Sequence, residues 1–352
     1  MKTILAAASV AALMAAGAAR AETIAVSMQS FDNNFQTLLR QGLQKRADEV
    51  GGVALQIEDA QTDVAKQLNQ VNNFIALGVD AIILTLADTS AAPGISAAAE
   101  SAGIPLVYLN LQPANIDSLP ETQAYVGSRE AESGALGAKA ACDLLKAQGK
   151  ADSAQVYILM GDLAHEATRE RTQSAKDTLA AGDCKGATIA DEQPAAWQRT
   201  NALDLTTNWI TSGLEFDAVI SNNDEMAIGA IQAMKSAGMS MDDVIVGGVD
   251  ATQDALAAME AGDLDVTVFQ NAAGQGQGAV DAALKLARLP VRPYLPSIIH
   301  PNTGNLGLPI VFFALGEPAM PYAIAFSTLV QISHFTVGVG LASGQMSWRT
   351  VL

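Results

Sequence analysis

Side chains that can hydrogen bond to hydroxyl groups recur along this chain, each close behind a short apolar run. Amides, carboxylates and guanidinium groups dominate the set, and a Phe and a Trp accompany them. The positions are Asp32, Asn33, Asn34, Phe35, Thr85, Asn110, Asp162, Arg169, Arg171, Trp197, Asn222, Asn223, Asp224, Asp250 and Gln270. Amide and charged groups supply the paired donors and acceptors that hydroxyls need, and flat rings cover C–H faces. Brought together, these residues would form a site for a small polyhydroxylated ring.

The apolar runs themselves read as strands, with helical stretches between them. A first series of strands is predicted at 23–28, 53–57, 79–85, 104–110 and 124–127, and a second at 155–160, 187–190, 218–221, 244–249 and 266–270. Strict alternation of strand and helix predicts parallel sheets covered by helices on both faces. Two successive runs predict two doubly wound lobes, which bind ligands beyond the carboxyl ends of their strands. The polar residues above stand at those ends.

The first 21 residues have the three parts of an export signal. Lys2 gives a positive start, Ile4 to Ala18 is apolar, and Ala19-Arg20-Ala21 has the small-x-small form of a cleavage site. The alternative is a buried N-terminal helix. The signal predicts a mature chain that begins at Glu22 in the periplasm.

The charge of the chain excludes one class of partner, and its two cysteines leave two alternatives open. The formal charge of -17 becomes -19 once Lys2 and Arg20 are removed with residues 1–21. An acidic protein repels nucleic acid and anionic lipid, so nucleic acid is excluded as a partner. The two cysteines, Cys142 and Cys184, could form one disulfide in an oxidising compartment or remain separate buried thiols.

Residues for catalysis, a metal or a cofactor are lacking in the sequence. The three histidines, His165, His300 and His334, have no triad-like or metal-like neighbours. No G-x-S-x-G or Walker motif occurs, and the glycines of 274–278 have the wrong spacing for a dinucleotide loop. We therefore expect no enzyme activity, no cofactor and no metal, and we read 274–278 as a close-packed helix start.

Seven motifs resemble the periplasmic sugar-binding proteins of the ribose/galactose type, the receptors of ABC importers, over about residues 22–290. In order they are IAVSMQSFDNNFQ, LGVDAIILT, AGIPLVYLN, ATRERTQ, FDAVISNNDEMAIGAIQAM, VIVGGVD and VTVFQN. The resemblance implies two α/β lobes of the periplasmic binding protein type I fold, joined by three crossing strands, with ligand held between them. Sugar-responsive repressors share these lobes but carry an N-terminal DNA-binding helix pair, a place taken here by the export signal.

Matched position by position, the resemblance implies a set of ligand-binding residues. They are Asn33, Phe35, Asn110, Arg171, Trp197, Asn223, Asp250 and Gln270. Asn110 stands where many relatives have Asp, and Leu111 stands where ribose receptors often have Arg, which counts against ribose. Val249 replaces a frequent aromatic residue and leaves more room in the pocket. Trp197 could alternatively pack in the core, and Thr85 could be a plain strand end.

The stretch Ile220 to Ala230, ISNNDEMAIGA, places two amides and two acids between a strand and a helix. By the resemblance, Asn223 is the ligand residue. Asp224 and Glu225 are expected as cap and first-turn acids of the following helix. The alternative is that all four side chains solvate a loop. Arg169 is expected in a surface salt bridge.

The last sixty residues do not continue this pattern. Between Pro293 and Leu352 the only charged residues are Glu317 and Arg349. The stretch 319–342 is long enough to cross a bilayer, which needs about 20 apolar residues. Residues 296–309 resemble the PSLxFPNTGNxGLP segment of auxin efflux carrier-type permeases. We expect a hydrophobic helical tail, a carrier fragment that cannot transport by itself; the alternative is a buried core helix.

These observations predict a domain plan and a function. The plan is a signal peptide at 1–21, an N-terminal lobe at 22–127 and 271–292, a C-terminal lobe at 128–270 and a membrane-like segment at 293–352. The predicted function is capture of a monosaccharide or cyclitol (inositol-like, pentose or hexose) and its delivery to an ABC transporter permease. The alternative is a fusion protein tethered to the inner membrane through 293–352.

Overall fold

A computed structural model describes residues 21–287, which form two five-stranded parallel sheets. The first sheet contains β1 (Glu22–Met28), β2 (Val53–Asp59), β3 (Ala81–Leu84), β4 (Leu106–Asn110) and β5 (Gln123–Gly127). The second contains β6 (Gln155–Met160), β7 (Thr188–Pro194), β8 (Ala218–Ser221), β9 (Ile245–Asp250) and β10 (Val266–Phe269). The orders are β2-β1-β3-β4-β5 and β10-β9-β8-β6-β7, so both lobes repeat one topology. This confirms the two predicted doubly wound α/β lobes.

Nine helices among the described residues connect the strands and cover the sheets. They are α1 (Asn34–Val50), α2 (Val64–Leu77), α3 (Ala92–Ala102), α4 (Glu130–Ala147), α5 (Glu166–Ala181), α6 (Arg199–Thr211), α7 (Asp224–Ser236), α8 (Gln253–Glu260) and α9 (Ala272–Leu286). The strands in the middle of each sheet are fully buried, as their unbroken Val, Ile, Leu and Ala runs require.

Short polar side chains start several of these helices. Asp63 caps α2 by accepting from the backbone N–H of Lys66 at 3.0 Å. Asn33 caps α1 and Asn223 caps α7 in the same way. Capping therefore fixes the side-chain amides of Asn33, beyond β1, and of Asn223, beyond β8.

The region before α6 differs from the sequence prediction. A helix was expected from Ala196, with β7 ending at residue 190, but β7 runs to Pro194 and α6 begins at Arg199. Ala196 and Trp197 have φ of 51° and 65°, in the left-handed region that a right-handed helix excludes. Trp197 thus lies on a loop ahead of the helix rather than at its start.

Helix α9 follows the second lobe in sequence but packs on α1 of the first. A Cβ on Gly42 would lie 2.8 Å from the carbonyl oxygen of Ala273, and a Cβ on Gly276 would lie 2.6 Å from that of Leu39. Only glycine permits this approach of two backbones. The glycines of 274–278 therefore include a helix-packing position, as the sequence predicted, and the chain crosses between the lobes again before α9.

A disulfide joins Cys142 on α4 to Cys184 beyond α5. Of the two alternatives left open by the sequence, the structure has the bonded one, and it lies entirely within the second lobe. Within residues 21–287, no helix combines the length and apolar character needed to cross a bilayer. All but the last residue of the predicted signal (1–21) and the whole predicted tail (293–352) lie outside the described residues.

Candidate ligand-binding site

The eight predicted ligand-binding residues line one cavity of about 330 Å³ between the two lobes. Those from the first lobe are Asn33, Phe35 and Asn110, and those from the second are Arg171, Trp197, Asn223, Asp250 and Gln270. Four further residues complete the lining: Gln29, Gln36, Leu111 and Ala167. The structure thus assembles side chains that are up to 237 positions apart in sequence, from Asn33 to Gln270.

Parallel topology explains why these residues meet. Asn110 ends β4, Asp250 ends β9, and Gln270 follows β10 directly. Gln29 follows β1, and Asn223 lies two residues after β8. All of these positions are at carboxyl ends of strands, where open α/β sheets place their ligands. The two sheets present those edges to each other across the cleft.

Asn33 and Asn223 serve as helix caps and as cleft residues at once. The Oδ1 of Asn33 accepts from the N–H of Phe35 at 2.8 Å, and the Oδ1 of Asn223 accepts from that of Met226 at 3.0 Å. Capping fixes the amide orientation and leaves each Nδ2 without a partner among the described residues. Each Asn therefore offers the cavity a hydrogen-bond donor, which suits a ligand hydroxyl oxygen.

Arg171 is the one cation in the lining, and it is held rigidly. Its Nε donates to Glu130 at 2.6 Å, Nη1 to the carbonyl of Asn222 at 2.7 Å, and Nη2 to Gln270 at 3.2 Å. The carboxylate of Asp250 lies 4.0 Å from Nη1. A guanidinium carries five N–H donors, so two remain for a ligand.

Asp250 supplies a carboxyl group at the floor of the second lobe. The residue is 4% exposed, and burial raises its pKa well above the usual range, against the opposing effect of Arg171. A buried carboxylate is stabilised by a ligand that donates hydrogen bonds to it. Hydroxyl groups are donors of that kind.

Backbone strain is concentrated at the cleft. Asn110, Trp197 and Asp250 have φ of 67°, 65° and 125°, and none of them is glycine. Such conformations cost of order 1–3 kcal/mol each and persist where the surrounding structure demands them. Three of the eight predicted residues are therefore held in unfavourable backbone geometry that aims their side chains.

Trp197 covers the second lobe's side of the cavity. Its ring lies flat on Gly161, where a Cβ would come within 2.2 Å of the indole. The centre of the Arg171 guanidinium is 5.7 Å from the ring centroid, and the indole Nε1 donates to Nδ1 of His165 at 2.8 Å. Trp197 also packs against apolar residues of both lobes, so the expected core packing and the cleft position are both present.

A chain of amides links the cleft to the segments that connect the lobes. Gln36 donates to Asn110 at 3.5 Å, Asn110 donates to Gln275 at 3.2 Å, and Gln275 donates to Ser128 at 2.8 Å. Gln270 donates to the same Ser128 hydroxyl at 3.1 Å. Because residue 128 and residues 270–275 lie on the crossings, a ligand that contacts Asn110 or Gln270 is coupled to them.

The lobes touch directly at the rim of the cleft. Asn34 donates to Glu225 at 2.8 Å, and Thr89 donates to the carbonyl of Ala164 at 2.8 Å. The imidazole of His165 contacts the carbonyl of Ala87 at 3.1 Å. These contacts between the lobes define a closed conformation.

One interpretation of the stretch 220–230 needs correction, and another is confirmed. Asp224 does not cap α7, because Asn223 does; its carboxyl is fully buried and accepts from Thr252 N at 2.9 Å and from the Thr267 hydroxyl at 2.7 Å. Burial raises its pKa to about 7. Glu225 lies in the first turn, as predicted, and also pairs with Arg199 at 3.0 Å.

Arg169 differs from expectation, and Thr85 matches one of its two alternatives. Arg169 forms no ion pair within the described chain and donates to the carbonyl of Leu163 at 3.2 Å. Thr85 is buried behind the cleft, where its hydroxyl accepts from the backbone N–H of Gln29 at 2.6 Å. Of its two alternatives, Thr85 is therefore a strand-end residue and not a ligand contact. Its hydroxyl holds the backbone of Gln29, which lines the cavity.

Sequence reasoning missed Gln29 and Gln36. Each has a buried Oε1 with no hydrogen-bond partner among the described residues, and both line the cavity. A buried acceptor without a partner is unfavourable unless a ligand or water supplies a donor. The signal for Gln29 was its position immediately after the first strand, whereas Gln36 lies inside α1 and gave none.

The chemistry available at this site is recognition. The lining combines amide donors and acceptors, one guanidinium, one carboxyl and two aromatic rings, and holds no Ser, Cys, Lys or His that could act as nucleophile or base. Across residues 21–287, no group of three or more His, Cys, Asp and Glu residues is arranged to hold a metal ion. The lining can hydrogen bond to the edge of a polar ring and pack against its faces.

Two α/β lobes that close on a polar cleft define a binding protein of the kind that captures small solutes. The chain belongs to the periplasmic binding protein family, since the profile of the periplasmic binding protein domain matches residues 24–289. Solute-binding proteins of this family act with ABC importers and are not enzymes, which confirms the class predicted from the sequence.

Individual relatives extend this finding. The chain is 57% identical over 278 residues to a putative rhizopine-binding protein of Rhizobium meliloti, covering 79% of this chain and 88% of that one. It is 33% identical to a D-galactose/methyl-galactoside binding periplasmic protein of Haemophilus influenzae, over 75% and 81% of the two chains. An ABC transporter solute-binding protein of Bacillus halodurans with bound myo-inositol is 37% identical, with a TM-score of 0.70 and coverage of 77% and 91%.

Proposed function

We propose that the protein captures one monosaccharide or cyclitol in the cleft and delivers it to an ABC transporter permease. The observation that carries the proposal is the convergence of hydroxyl-seeking side chains from both lobes on one cavity of about 330 Å³. The solved relative at 37% identity holds myo-inositol, and this supports a cyclitol or a sugar of similar size.

The polar groups match a ring with hydroxyls around its edge. Asn33 and Asn223 each present a free Nδ2, and Arg171 keeps two N–H donors. Acceptors come from Gln29, Gln36 and Asp250. A hydroxyl both donates and accepts, so one ring can satisfy both sets, and Phe35 and Trp197 can cover its two faces. We propose the eight predicted residues, with Gln29 and Gln36, as the ligand-binding set.

The mechanism follows from the two-lobed construction. A ligand that contacts residues of both lobes binds the closed form better than the open form, and it shifts the population toward closure. The rim contacts, such as Asn34 with Glu225, form only when the lobes meet. No bond is made or broken. The permease would then receive the closed, loaded protein.

A thermal-shift panel tests the proposal. The purified protein is heated with millimolar myo-inositol, D-ribose, D-galactose or D-allose, and a bound ligand raises the midpoint by mass action. Asp250→Asn keeps the shape but replaces a carboxyl oxygen by an amide NH₂ that cannot accept a hydrogen bond, so the shift should shrink; Asp243→Asn, on the exposed surface, is the matched control and should keep it. Absence of a shift with every polyol would contradict the proposed function.

Location and domain limits are part of the same proposal. The signal-like residues 1–21 and the periplasmic relatives support export to the periplasm. We propose lobes at 22–127 with 271–292 and at 128–270, supported by the packing of α9 on α1. N-terminal sequencing of the exported protein, which should start at Glu22, tests the first point.

The C-terminal segment 293–352 supports a further proposal about tethering. Its apolar, carrier-like sequence favours contact with the inner membrane, while the capture function stays with the lobes. Cell fractionation tests this proposal: the full chain should sediment with membranes, and a chain ending at residue 292 should be recovered in the periplasmic fraction. Recovery of both in the periplasmic fraction would contradict it.

A further inference from the structure

His165 contacts both Trp197, which lines the cleft, and the backbone of the first lobe. The residue is 2% exposed and precedes α5 directly. One ring nitrogen, Nδ1, is 2.8 Å from the indole Nε1 of Trp197, and the other, Nε2, is 3.1 Å from the carbonyl oxygen of Ala87 in the first lobe. A single imidazole therefore connects a proposed ligand contact to the closure of the lobes.

The two partners determine the protonation state of the ring. An indole N–H can only donate, so Nδ1 must accept, and a carbonyl oxygen can only accept, so Nε2 must donate. Only the neutral imidazole with its hydrogen on Nε2 satisfies both bonds. A proton added to Nδ1 would face the N–H of Trp197 and break that bond. The near-coplanar rings, 18° apart with centroids 6.1 Å apart, fit an in-plane hydrogen bond.

The surroundings also disfavour a charged ring. Burial lowers the pKa of His165, and Arg169 on α5 lowers it further. Asp162, just before α5, and Asp88, from the first lobe, act in the opposite direction without overcoming burial. The N-terminus of α5 carries the positive end of the helix dipole, which also opposes a cation.

We propose that neutral His165 is a positioning residue that couples the orientation of Trp197 to lobe closure, so that ligand capture weakens when the ring is protonated. The inference rests on the proposed function, because it concerns the affinity of the same cleft. His165 itself does not line the cavity. It acts through Trp197, whose indole Nε1 donates its hydrogen bond to the imidazole of His165.

The sign and size of the effect follow from linkage. Opening the cleft removes the burial that lowers the pKa of His165, so the open form takes up a proton more readily than the closed form. Affinity is then highest above the pH range in which histidine ordinarily titrates and falls as the pH drops through that range. Between pH 7.5 and pH 5.5 the dissociation constant should rise roughly tenfold, because one proton must leave before closure.

The test measures binding of the strongest polyol from the panel to the purified protein by calorimetry at pH 7.5, 6.5 and 5.5. His165→Asn can still accept from Trp197, and His165→Gln can still donate to Ala87, and neither titrates. Each variant loses one hydrogen bond, so we expect its affinity at pH 7.5 to be roughly 2–10-fold lower. Between pH 7.5 and pH 5.5 the ratio of variant to wild-type affinity should rise about tenfold for both.

The outcomes separate the two claims. Acid groups such as Asp250 and Asp224 also titrate, but they are present in every variant and cancel in the ratio. If wild type binds at pH 7.5 and the ratio does not change with pH, the coupling through His165 is wrong and the proposed function stands. If no polyol binds wild type at pH 7.5, the proposed function is wrong and the inference fails with it.

Discussion

Removing the Arg171 side chain should destabilise the second lobe even when no ligand is present. The pair formed by Arg171 and Glu130 is almost fully buried, with 5% and 3% of the two side chains exposed and 2.6 Å between Nε and Oε2. Arg171→Met keeps most of the apolar length but leaves the Glu130 carboxylate buried without its partner. Breaking one side of such a pair costs about 3–5 kcal/mol.

Removing both charges should cost much less than removing one. In Arg171→Met/Glu130→Gln both members of the pair are neutral, and replacing a buried pair by neutral groups is often close to neutral. We therefore expect the double variant to regain about 2–3 kcal/mol relative to Arg171→Met. The assay is urea unfolding followed by far-UV circular dichroism, without ligand, on the purified proteins.

Arg169→Met is the matched control for this experiment. It lies one half-turn away on the same helix, is exposed, and donates only to the carbonyl of Leu163. Its effect should stay within about 0.5 kcal/mol. If Arg171→Met costs no more than this control, or if the double variant is as unstable as the sum of its singles, the buried pair does not support the lobe as argued.

Three further results are expected. Gly161→Ala should lower polyol affinity at least tenfold in calorimetry with the fold retained by circular dichroism, since its Cβ would lie 2.2 Å from the ring of Trp197; unchanged affinity would contradict the proposed role of that ring. Reduction of Cys142–Cys184, which closes a loop of 42 residues, should lower the free energy of unfolding by about 4 kcal/mol in urea titrations with and without reductant, and equal curves would count against the disulfide. Burial raises the pKa of Glu166 to about 7 from 4.5, so the free energy of unfolding should fall as the pH rises through that range. The free energy of unfolding of Glu166→Gln should therefore exceed that of wild type by about 1 kcal/mol at pH 8 and should not exceed it at pH 5.

Strand positions and strand ends could be predicted from the sequence because the signals are local. Continuous apolar runs followed by amides gave both sheets, and Asn33, Asn110, Asn223, Asp250 and Gln270 were found from their positions alone. Parallel topology then requires these ends to meet at the same edges. The match to a family then selected eight ligand-binding residues from the longer list of strand-end candidates, with Phe35, Arg171 and Trp197 among them.

What could not be predicted depends on contacts between distant residues. The partner of Asp224 is Thr267, 43 positions away, and no local pattern indicates such a bond. The two left-handed residues Ala196 and Trp197 lie outside α6 and delay its start to Arg199, although neither is a residue type associated with that conformation. Gln36 enters the cleft from the side of a helix, where a polar residue normally faces water.

The left-handed backbone at Asn110, Trp197 and Asp250 has a consequence for engineering. At each of these sites a glycine would relieve torsional strain, so a screen that selects only for heat resistance would tend to choose it. Every such choice would also delete a side chain from the cleft. Thermostabilisation of this scaffold as a biosensor should therefore leave those three positions untouched and seek its gains on the outer helices.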